Sequence, residues 1–414
     1  IVDNSSGLSL TFLMGSENRT AQYKSGSGNA QQVFGYTIDD LLTSGENDSD
    51  GLSTGSNPIV LPGGSTIKDL AGNTAILDHA GMSTDTDHKV DTIPPTEVST
   101  GIDNATTTGL QNNFLNAGDV LSLKSNFSET VLKESASLTY KIVVGSDNKT
   151  ATYSSGTNSD NLTFQYQIQA GDNDTDGISI DQNDIIGTIT DLAGNIASDV
   201  TINALTDNSS YKVDTTAPSV DNFTMSDTAL KIGDNATVTL IFSEQICPVT
   251  DSCAIGFNNS DIDVPDVTGT FTDTGSLSTL TTDDNVTWTG IFIPTDNIED
   301  NTSVLTLGTG YTDLAGNAGP SAQTANYAVD TKEPEVSRVF VSGQQGISAY
   351  NFLNPNDNVS LTARFTETVV VDNSFGGAPS LTFLMGSDNR TATFTSGSNS
   401  VDLVFGYTIG ALYT

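Results

Sequence analysis

The sequence predicts an all-β chain, built as a tandem array of antiparallel β-sandwich domains. Three observations support this: a five-residue marker at a fixed interval, strands in which apolar and polar residues alternate, and clusters of Gly, Asn, Asp and Ser between those strands. Period-two alternation is typical of half-buried strands, and the clusters supply turn residues. Several short strands about ten residues apart favour two packed sheets.

The repeat marker is Asp-Leu-Ala-Gly-Asn, found at 69–73, 191–195 and 313–317, an interval of about 122 residues. A second marker, Val-Asp-Thr followed by proline, occurs at 90–95, 213–218 and 329–334. The expected domains are a partial one lacking N-terminal strands, two complete ones, and a partial one lacking C-terminal strands, at 1–93, 94–217, 218–333 and 334–414. The chain would then be a piece of a longer polypeptide.

Two strand patterns recur from unit to unit. The earlier one places apolar residues at every second position, as at Leu121 and Leu123, and the later one does so at Leu162 and Phe164. Such strands bury one face and leave the other polar. The later position in the third unit holds Trp288, which we interpret as a core residue.

The charge balance narrows the class of partner. The chain of 414 residues has 51 acidic and 14 basic residues, a formal net charge of −37. Nucleic acid is therefore not expected as a partner, since phosphate binding requires clustered Lys and Arg. The charged fraction is only 16%, which favours packed domains with acidic surfaces over a disordered tract. Such surfaces attract cations.

Several of these segments resemble tandem bacterial-type immunoglobulin-like (Ig-like) repeats. They are the stretch from Phe127 to Val131, the stretch from Phe164 to Ile178, and the markers at 191–195 and 213–218. The resemblance spans the chain and implies Ig-like sandwiches in a large extracellular, cell-surface protein of a bacterium or archaeon. It does not choose among adhesins, biofilm proteins and S-layer proteins. The third unit departs most from the pattern.

Asn-x-Ser/Thr sequons, the acceptors of N-linked glycans, are abundant. Together with the acidity they resemble an archaeal S-layer glycoprotein, most of all that of marine ammonia-oxidising archaea. The candidate glycosylation sites are Asn4, Asn18, Asn47, Asn104, Asn126, Asn148, Asn161, Asn173, Asn208, Asn222, Asn235, Asn258, Asn285, Asn301, Asn358 and Asn389.

Two loops alternate carboxylates and end in glycine. Hard cations such as Ca²⁺ take six to eight oxygen ligands, and alternating acidic side chains can converge on one ion. The loops are not EF-hands, because the later Glu and the helices are missing. The alternative is a solvated acidic turn. The expected calcium ligands are Glu46, Asp48 and Asp50 in one loop and Asp172, Asp174 and Asp176 in the other.

A second candidate metal site lies where the domains would meet. Asp119, Glu129, Asp191 and Asp214 flank the predicted linkers and turns, and an ion could hold neighbouring domains together if these loops gather. For Asp191 the alternative is an Asx-turn, in which its side chain accepts local backbone N–H groups; both roles can coexist. Copies of these acids occur at Asp69, Asp91, Asp234, Glu244, Asp313, Asp330, Asp357 and Glu367.

The cysteines and histidines give little sign of catalysis. Cys247 and Cys253 lie six residues apart, which favours a local disulfide over two free thiols. A zinc site is not expected, because His79 and His88 belong to another predicted domain. The sequence contains no nucleophile elbow, phosphate loop or His-Glu-x-x-His motif, so we do not expect an enzyme.

The expected function follows from these features. The chain would be a structural subunit segment of an acidic, glycosylated S-layer lattice that protects the cell and attracts cations. Its partners would be copies of itself and divalent cations, with no direct membrane insertion by this segment. The alternative function is a calcium-stabilised stalk of a large surface adhesin or biofilm protein.

Overall fold

A computed structural model describes the chain as a series of β-sheets joined by turns and one 3-10 turn at Asn259–Asp261. The all-β prediction is confirmed. Among the residues it describes, no helix is long and apolar enough to cross a bilayer. The described residues are 1–3, 7–38, 46–180, 185–197, 205–250, 253, 255–267, 272–349, 351–374 and 376–411. The sequon at Asn4 lies outside them.

The chain divides into two compact units, defined by their residues. Unit 1 comprises Ile1–Ser219, Glu244–Phe257 and Gly310–Gly319. Unit 2 comprises Val220–Ser243, Asn258–Thr309 and Pro320–Thr414. Two segments of the third sequence repeat are therefore grouped with unit 1. The predicted boundaries at 93, 217 and 333 stay predictions.

The strands of unit 1 are mostly antiparallel. They are β1 (Val2–Asp3), β2 (Ser9–Met14), β3 (Glu17–Ser25), β4 (Val33–Gly35), β5 (Ile59–Val60), β6 (Thr66–Ile67), β7 (Glu97–Ile102), β8 (Phe114–Leu115), β9 (Val120–Lys133), β10 (Thr139–Val144), β11 (Asp147–Ser155), β12 (Ser159–Gln167), β13 (Asn173–Asp174), β14 (Ile185–Ile186), β15 (Ile189–Asp191) and β16 (Lys212–Asp214).

The largest sheet of unit 1 has the order β14-β10-β11-β12-β9-β15, and β7 pairs with the long strand β9. A smaller sheet, β13-β16-β8, contributes Leu115 and Val213 to the same apolar core. Leu123 and Phe164, which face each other across β9 and β12, are fully buried in it. Two sheets enclosing one core form the sandwich that the alternating pattern predicts.

The strands of unit 2 repeat much of this arrangement. They are β17 (Val220–Met225), β18 (Ala229–Lys231), β19 (Ala236–Phe242), β20 (Ile262–Asp263), β21 (Gly275–Leu277), β22 (Thr287–Pro294), β23 (Glu299–Ser303), β24 (Thr306–Leu307), β25 (Ala322–Gln323), β26 (Tyr327–Asp330), β27 (Val336–Gln345), β28 (Asn358–Val369), β29 (Ser380–Met385), β30 (Asp388–Ser396) and β31 (Ser400–Thr408).

The sheets of unit 2 are β17-β19-β22-β21, β18-β26-β23, β20-β24-β25 and β27-β28-β31-β30-β29. Phe292 and Tyr327 from two of them meet edge to face, with ring centroids 5.3 Å apart, a favourable aromatic geometry. Trp288 on β22 is buried, 5% exposed. Its placement agrees with its interpretation as a core residue.

Candidate metal centre

In the Asp-Leu-Ala-Gly-Asn turns that begin at Asp191 and Asp313, the side chain of the aspartate stabilises the turn by accepting hydrogen bonds from later residues of the same turn. One oxygen of Asp191 accepts hydrogen bonds from the backbone N–H groups of Ala193 (2.8 Å) and Asn195 (2.9 Å), and the other accepts one from Nδ2 of Asn195 (2.7 Å). Gly194 adopts φ +94°, which glycine tolerates at little cost. Asp313 makes the same three bonds in its own turn. The Asx-turn alternative therefore describes the observed geometry.

The turn asparagine also reaches the linker that precedes its own repeat. Nδ2 of Asn195 donates to the carbonyl oxygen of Asp91 at 3.0 Å, and Nδ2 of Asn317 donates to that of Asp214 at 3.0 Å. One amide thus fixes both the turn and the linker aspartate. The aspartate side chains are brought beside the turns in consequence.

Two clusters of three carboxylates result, both within unit 1. The first contains Asp91, Glu129 and Asp191, and the second contains Asp214, Glu244 and Asp313. In each cluster one oxygen from every side chain lies within 4.8 Å of the others. Among the described residues, no further group of three His, Cys, Asp or Glu side chains meets this distance. We call these two groups the junction clusters.

The junction clusters concentrate negative charge in partly buried surroundings. Burial, followed by the charges of Asp214 and Asp313, raises the pKa of Glu244 to about 7. Burial, followed by Asp91 and Asp191, raises the pKa of Glu129. Like charges at this separation disfavour each other's ionised form. A divalent cation between them would remove that penalty, and carboxylate oxygens are the ligands that Ca²⁺ prefers.

A cavity of about 610 Å³ lies beside the first junction cluster. Its lining includes Asp50, Asp87 and Asp91, together with Lys89 and Leu192. The lining carries four aspartates and one lysine, and this excess of negative charge raises the local concentration of cations. Of the three residues in the first junction cluster, Asp91 lines this cavity.

The sequence-predicted junction set mixed members of two clusters. Glu129 and Asp191 do lie together, but Asp214 belongs to the second cluster, and the linker residue of the first is Asp91. Asp119 lies in neither. Its carboxylate accepts a hydrogen bond from the backbone N–H of Asn116 at 2.8 Å and closes the turn before β9. The recurrence of acids at matching repeat positions indicated the candidate residues but not which three of them meet.

Buried carboxylates of the predicted calcium loops accept hydrogen bonds from backbone groups. Asp174 accepts bonds from the N–H groups of Gly145 (2.7 Å) and Gly177 (2.6 Å), and Asp48 accepts equivalent bonds from Gly15 (2.8 Å) and Gly51 (2.6 Å). These buried carboxylates hold the loop to a neighbouring hairpin.

The remaining members of those loops also have other roles or are exposed. Asp172 pairs with Lys149 at 2.8 Å and accepts the hydroxyl of Tyr166 at 2.6 Å. Glu46 likewise pairs with Arg19 and accepts the hydroxyl of Tyr36. Asp50 and Asp176 face solvent. In each loop one buried acid, Asp172 or Glu46, is paired with a protein cation. Calcium binding by these loops stays a prediction.

The cysteine loop lies close to the second junction cluster. Cys247 and Cys253 are joined by a disulfide. Nδ2 of Asn112 contacts the sulfur of Cys253 at 3.1 Å and also donates to the carbonyl oxygen of Leu314 in the turn, at 3.1 Å. Asn112 therefore contacts both the cross-linked loop and the turn that begins at Asp313.

The disulfide gives a simple expectation in solution. Without reductant, Cys247 and Cys253 should resist alkylation in the unfolded chain, and both should react once reduced. Intact mass measurement before and after reduction checks this. The stabilisation should be below the roughly 3 kcal/mol expected for a fifteen-residue loop, because this loop is shorter. Two alkylated thiols without reductant would contradict the pairing.

The raised pKa of Glu244 predicts an unusual pH dependence. In a chelating buffer, folding stability should fall as pH rises from about 4.5 to about 7, since the folded state holds this proton more tightly than the unfolded chain does. Urea unfolding across that range measures the effect. Glu244→Gln, which cannot ionise, should show a smaller fall. Equal slopes for both proteins would count against the crowded cluster.

The sequons differ in accessibility. Of those described, Asn126, Asn161, Asn208, Asn222, Asn258 and Asn285 are half-buried. The exposed ones are Asn18, Asn47, Asn104, Asn148, Asn173, Asn235, Asn301, Asn358 and Asn389. Exposure alone does not show that any of them is modified.

Comparison with known proteins gives a family for part of the chain. Residues 214–329 match the bacterial Ig-like domain. The Ig-like segment includes the second linker aspartate, Glu244 and the Asp313 turn. No curated protein matches the chain.

Two solved structures align with this chain at low similarity. FdeC, an adhesin of Escherichia coli, is 12% identical over 76% of this chain and 91% of its own, with a TM-score of 0.25. The full extracellular region of plexin A4 is 9% identical over 99% of this chain and 42% of its own, with a TM-score of 0.21. Neither likeness is strong enough to support an argument about function.

Proposed function

We propose that this chain is a structural segment of an acidic, extracellular cell-surface assembly, an S-layer lattice formed by copies of itself, and that Ca²⁺ binds its junction clusters. The observation that carries the proposal is the recurrence of one arrangement at two successive linkers. Each time, a linker aspartate meets a glutamate and a turn aspartate from the following repeat. A contact that holds each linker to the following repeat, and that recurs along the chain, is expected in an array that bears mechanical load.

The junction clusters would act as cation-dependent ties. Three carboxylates repel one another when no cation is present, and a bound divalent ion would change that repulsion into mutual attraction through the metal. The linker would then be fixed against the following repeat. Stiffness of the array would depend on the calcium concentration outside the cell.

The net charge of −37 supports the proposed role in a cation-attracting lattice. An acidic surface enriches cations and repels anions close to the protein. Across the pores of a lattice, facing acidic surfaces would need divalent ions to approach each other. The lattice would protect the cell and concentrate cations. N-linked glycans on exposed sequons would belong to the same outer surface.

A structural role is favoured over a catalytic one. In both junction clusters the turn aspartate accepts three hydrogen bonds within its own turn, so this residue stabilises the local structure as well as belonging to the cluster. The same arrangement also occurs twice, whereas an enzyme needs one preorganised site. We infer that the clusters hold the chain together.

Electron microscopy of the purified chain tests the assembly. Two-dimensional sheets in about 10 mM calcium, a concentration that fills extracellular sites of ordinary affinity, would support the lattice, and EDTA should loosen them while the sandwiches stay folded. Isolated fibres that bind a host or matrix ligand would favour the stalk of an adhesin or biofilm protein. Monomers at every calcium concentration would contradict the proposed lattice.

A further inference from the structure

The same exposed sequon occupies the same hairpin in three repeats. Each hairpin joins two antiparallel strands, and the acceptor is the second residue of the returning strand: β3, β11 or β30. The sequons are Asn18-Arg19-Thr20, Asn148-Lys149-Thr150 and Asn389-Arg390-Thr391. All three therefore share one local backbone geometry.

Within each sequon, the asparagine and the threonine lie on one face of the strand, and the basic residue between them lies on the other face. Successive side chains of a strand point to opposite faces. In β11, Lys149 points inward and pairs with the buried Asp172 at 2.8 Å. Asn148 and Thr150 consequently share the opposite face, where both are exposed. The amide and the hydroxyl of the sequon are presented together to solvent.

The other two hairpins show the same exposure. Asn18 and Thr20 are exposed on β3, and Asn389 and Thr391 are exposed on β30. The carboxamides of Asn18, Asn148 and Asn389 make no hydrogen bond to any described residue. An attached group would therefore displace no internal contact at these positions.

Several other sequons use their side chains in the fold. Nδ2 of Asn126 donates to Ser99 at 3.0 Å, and Nδ2 of Asn173 donates to Thr216 at 3.2 Å. The carboxamide oxygen of Asn258 accepts two hydrogen bonds from Ser260, the hydroxyl residue of its own sequon. Substituting these amides would break existing bonds.

We propose that Asn18, Asn148 and Asn389 accept an N-linked glycan on the folded chain. The donor would be an oligosaccharide linked to a polyisoprenyl phosphate or diphosphate. Nδ2 of the asparagine forms a bond to the first carbon of the sugar, and the bond from that carbon to the lipid phosphate oxygen breaks. The lipid phosphate leaves with the bonding electrons, and the proton lost from Nδ2 passes to that phosphate or to water. The proposal extends the surface role, but its test does not depend on assembly.

The test is transfer in vitro, using the folded chain, a purified oligosaccharyltransferase and its lipid-linked oligosaccharide, with peptide mass spectrometry as the readout. Modification should occur at Asn18, Asn148 and Asn389 and be low at Asn126, Asn173 and Asn258. Modification of the second group to the same extent would overturn the proposal. So would an absence of transfer to the first group while a control acceptor peptide is modified.

A matched pair of variants shows that the hairpin sequon is the acceptor. Thr150→Val should abolish modification at Asn148 and leave Asn18 unchanged. Thr152→Val, at an exposed position on the same strand, should leave both sites modified. Heat-unfolded chain should lose the discrimination, with Asn126 and Asn258 now modified as well. Persistence of the same pattern after unfolding would show that sequence, and not the fold, selects the sites.

Discussion

Replacing Lys149 with methionine should lower the free energy of unfolding by about 3 kcal/mol, because it leaves the carboxylate of Asp172 buried without its cation. The side chain of Asp172 is only 3% exposed, and the ion pair is 2.8 Å long. Tyr166 would still donate its hydroxyl. The side chain of Lys149 is 24% exposed, which places the expected loss at the lower end of the range for broken buried pairs.

Urea unfolding of two variants measures this loss. Lys141→Met removes an exposed lysine from the neighbouring strand β10 and should change stability by no more than about 0.5 kcal/mol. Equal stability of the two variants would contradict the importance of the ion pair. Replacing Lys149 and Asp172 together with apolar residues should recover much of the loss. In the third repeat, Ile298 occupies the position of Asp172. Its carbonyl oxygen accepts a hydrogen bond from the hydroxyl of Thr331, as that of Asp172 does from the hydroxyl of Thr215.

Calcium should raise the stability of the chain through the junction clusters. A site with a dissociation constant of roughly 10⁻⁴–10⁻³ M contributes about 1.4–2.7 kcal/mol at about 10 mM calcium. Two such sites would produce a large rise in the unfolding temperature. The rise should disappear in the double variant Glu129→Gln with Glu244→Gln.

A matched substitution controls for loss of charge. Glu134→Gln removes an exposed glutamate that lies outside both clusters, and its calcium response should equal that of the unsubstituted chain. Differential scanning calorimetry with calcium and with chelator measures all three proteins. If the double variant retains the full response, calcium acts elsewhere on the acidic surface.

The fold class could be predicted from the sequence because it depends on local patterns. Alternation at Leu121, Leu123, Leu162 and Phe164 records which face of each strand is buried, and those residues are fully buried. The Asp191 turn was also readable, since its bonds join residues no more than four apart.

The grouping of acids could not be predicted in the same way. Asp91 meets Glu129 and Asp191 only because the amide of Asn195 holds a linker 104 positions earlier in the chain. Likewise, the acidic pattern of its loop does not show that Asp172 pairs with Lys149, which comes from another strand. Spacing along the chain records neither contact, so tertiary packing decides between an ion site and an ion pair.

Calorimetric titration with calcium tests the central claim, that the junction clusters bind divalent cations, most directly. The unsubstituted chain should bind calcium at two sites, one for each of the two clusters. The double variant Glu129→Gln with Glu244→Gln should lose the binding heat, while Glu134→Gln should retain it. A titration that gives no heat with the unsubstituted chain, or the same heat with the double variant, would contradict the account.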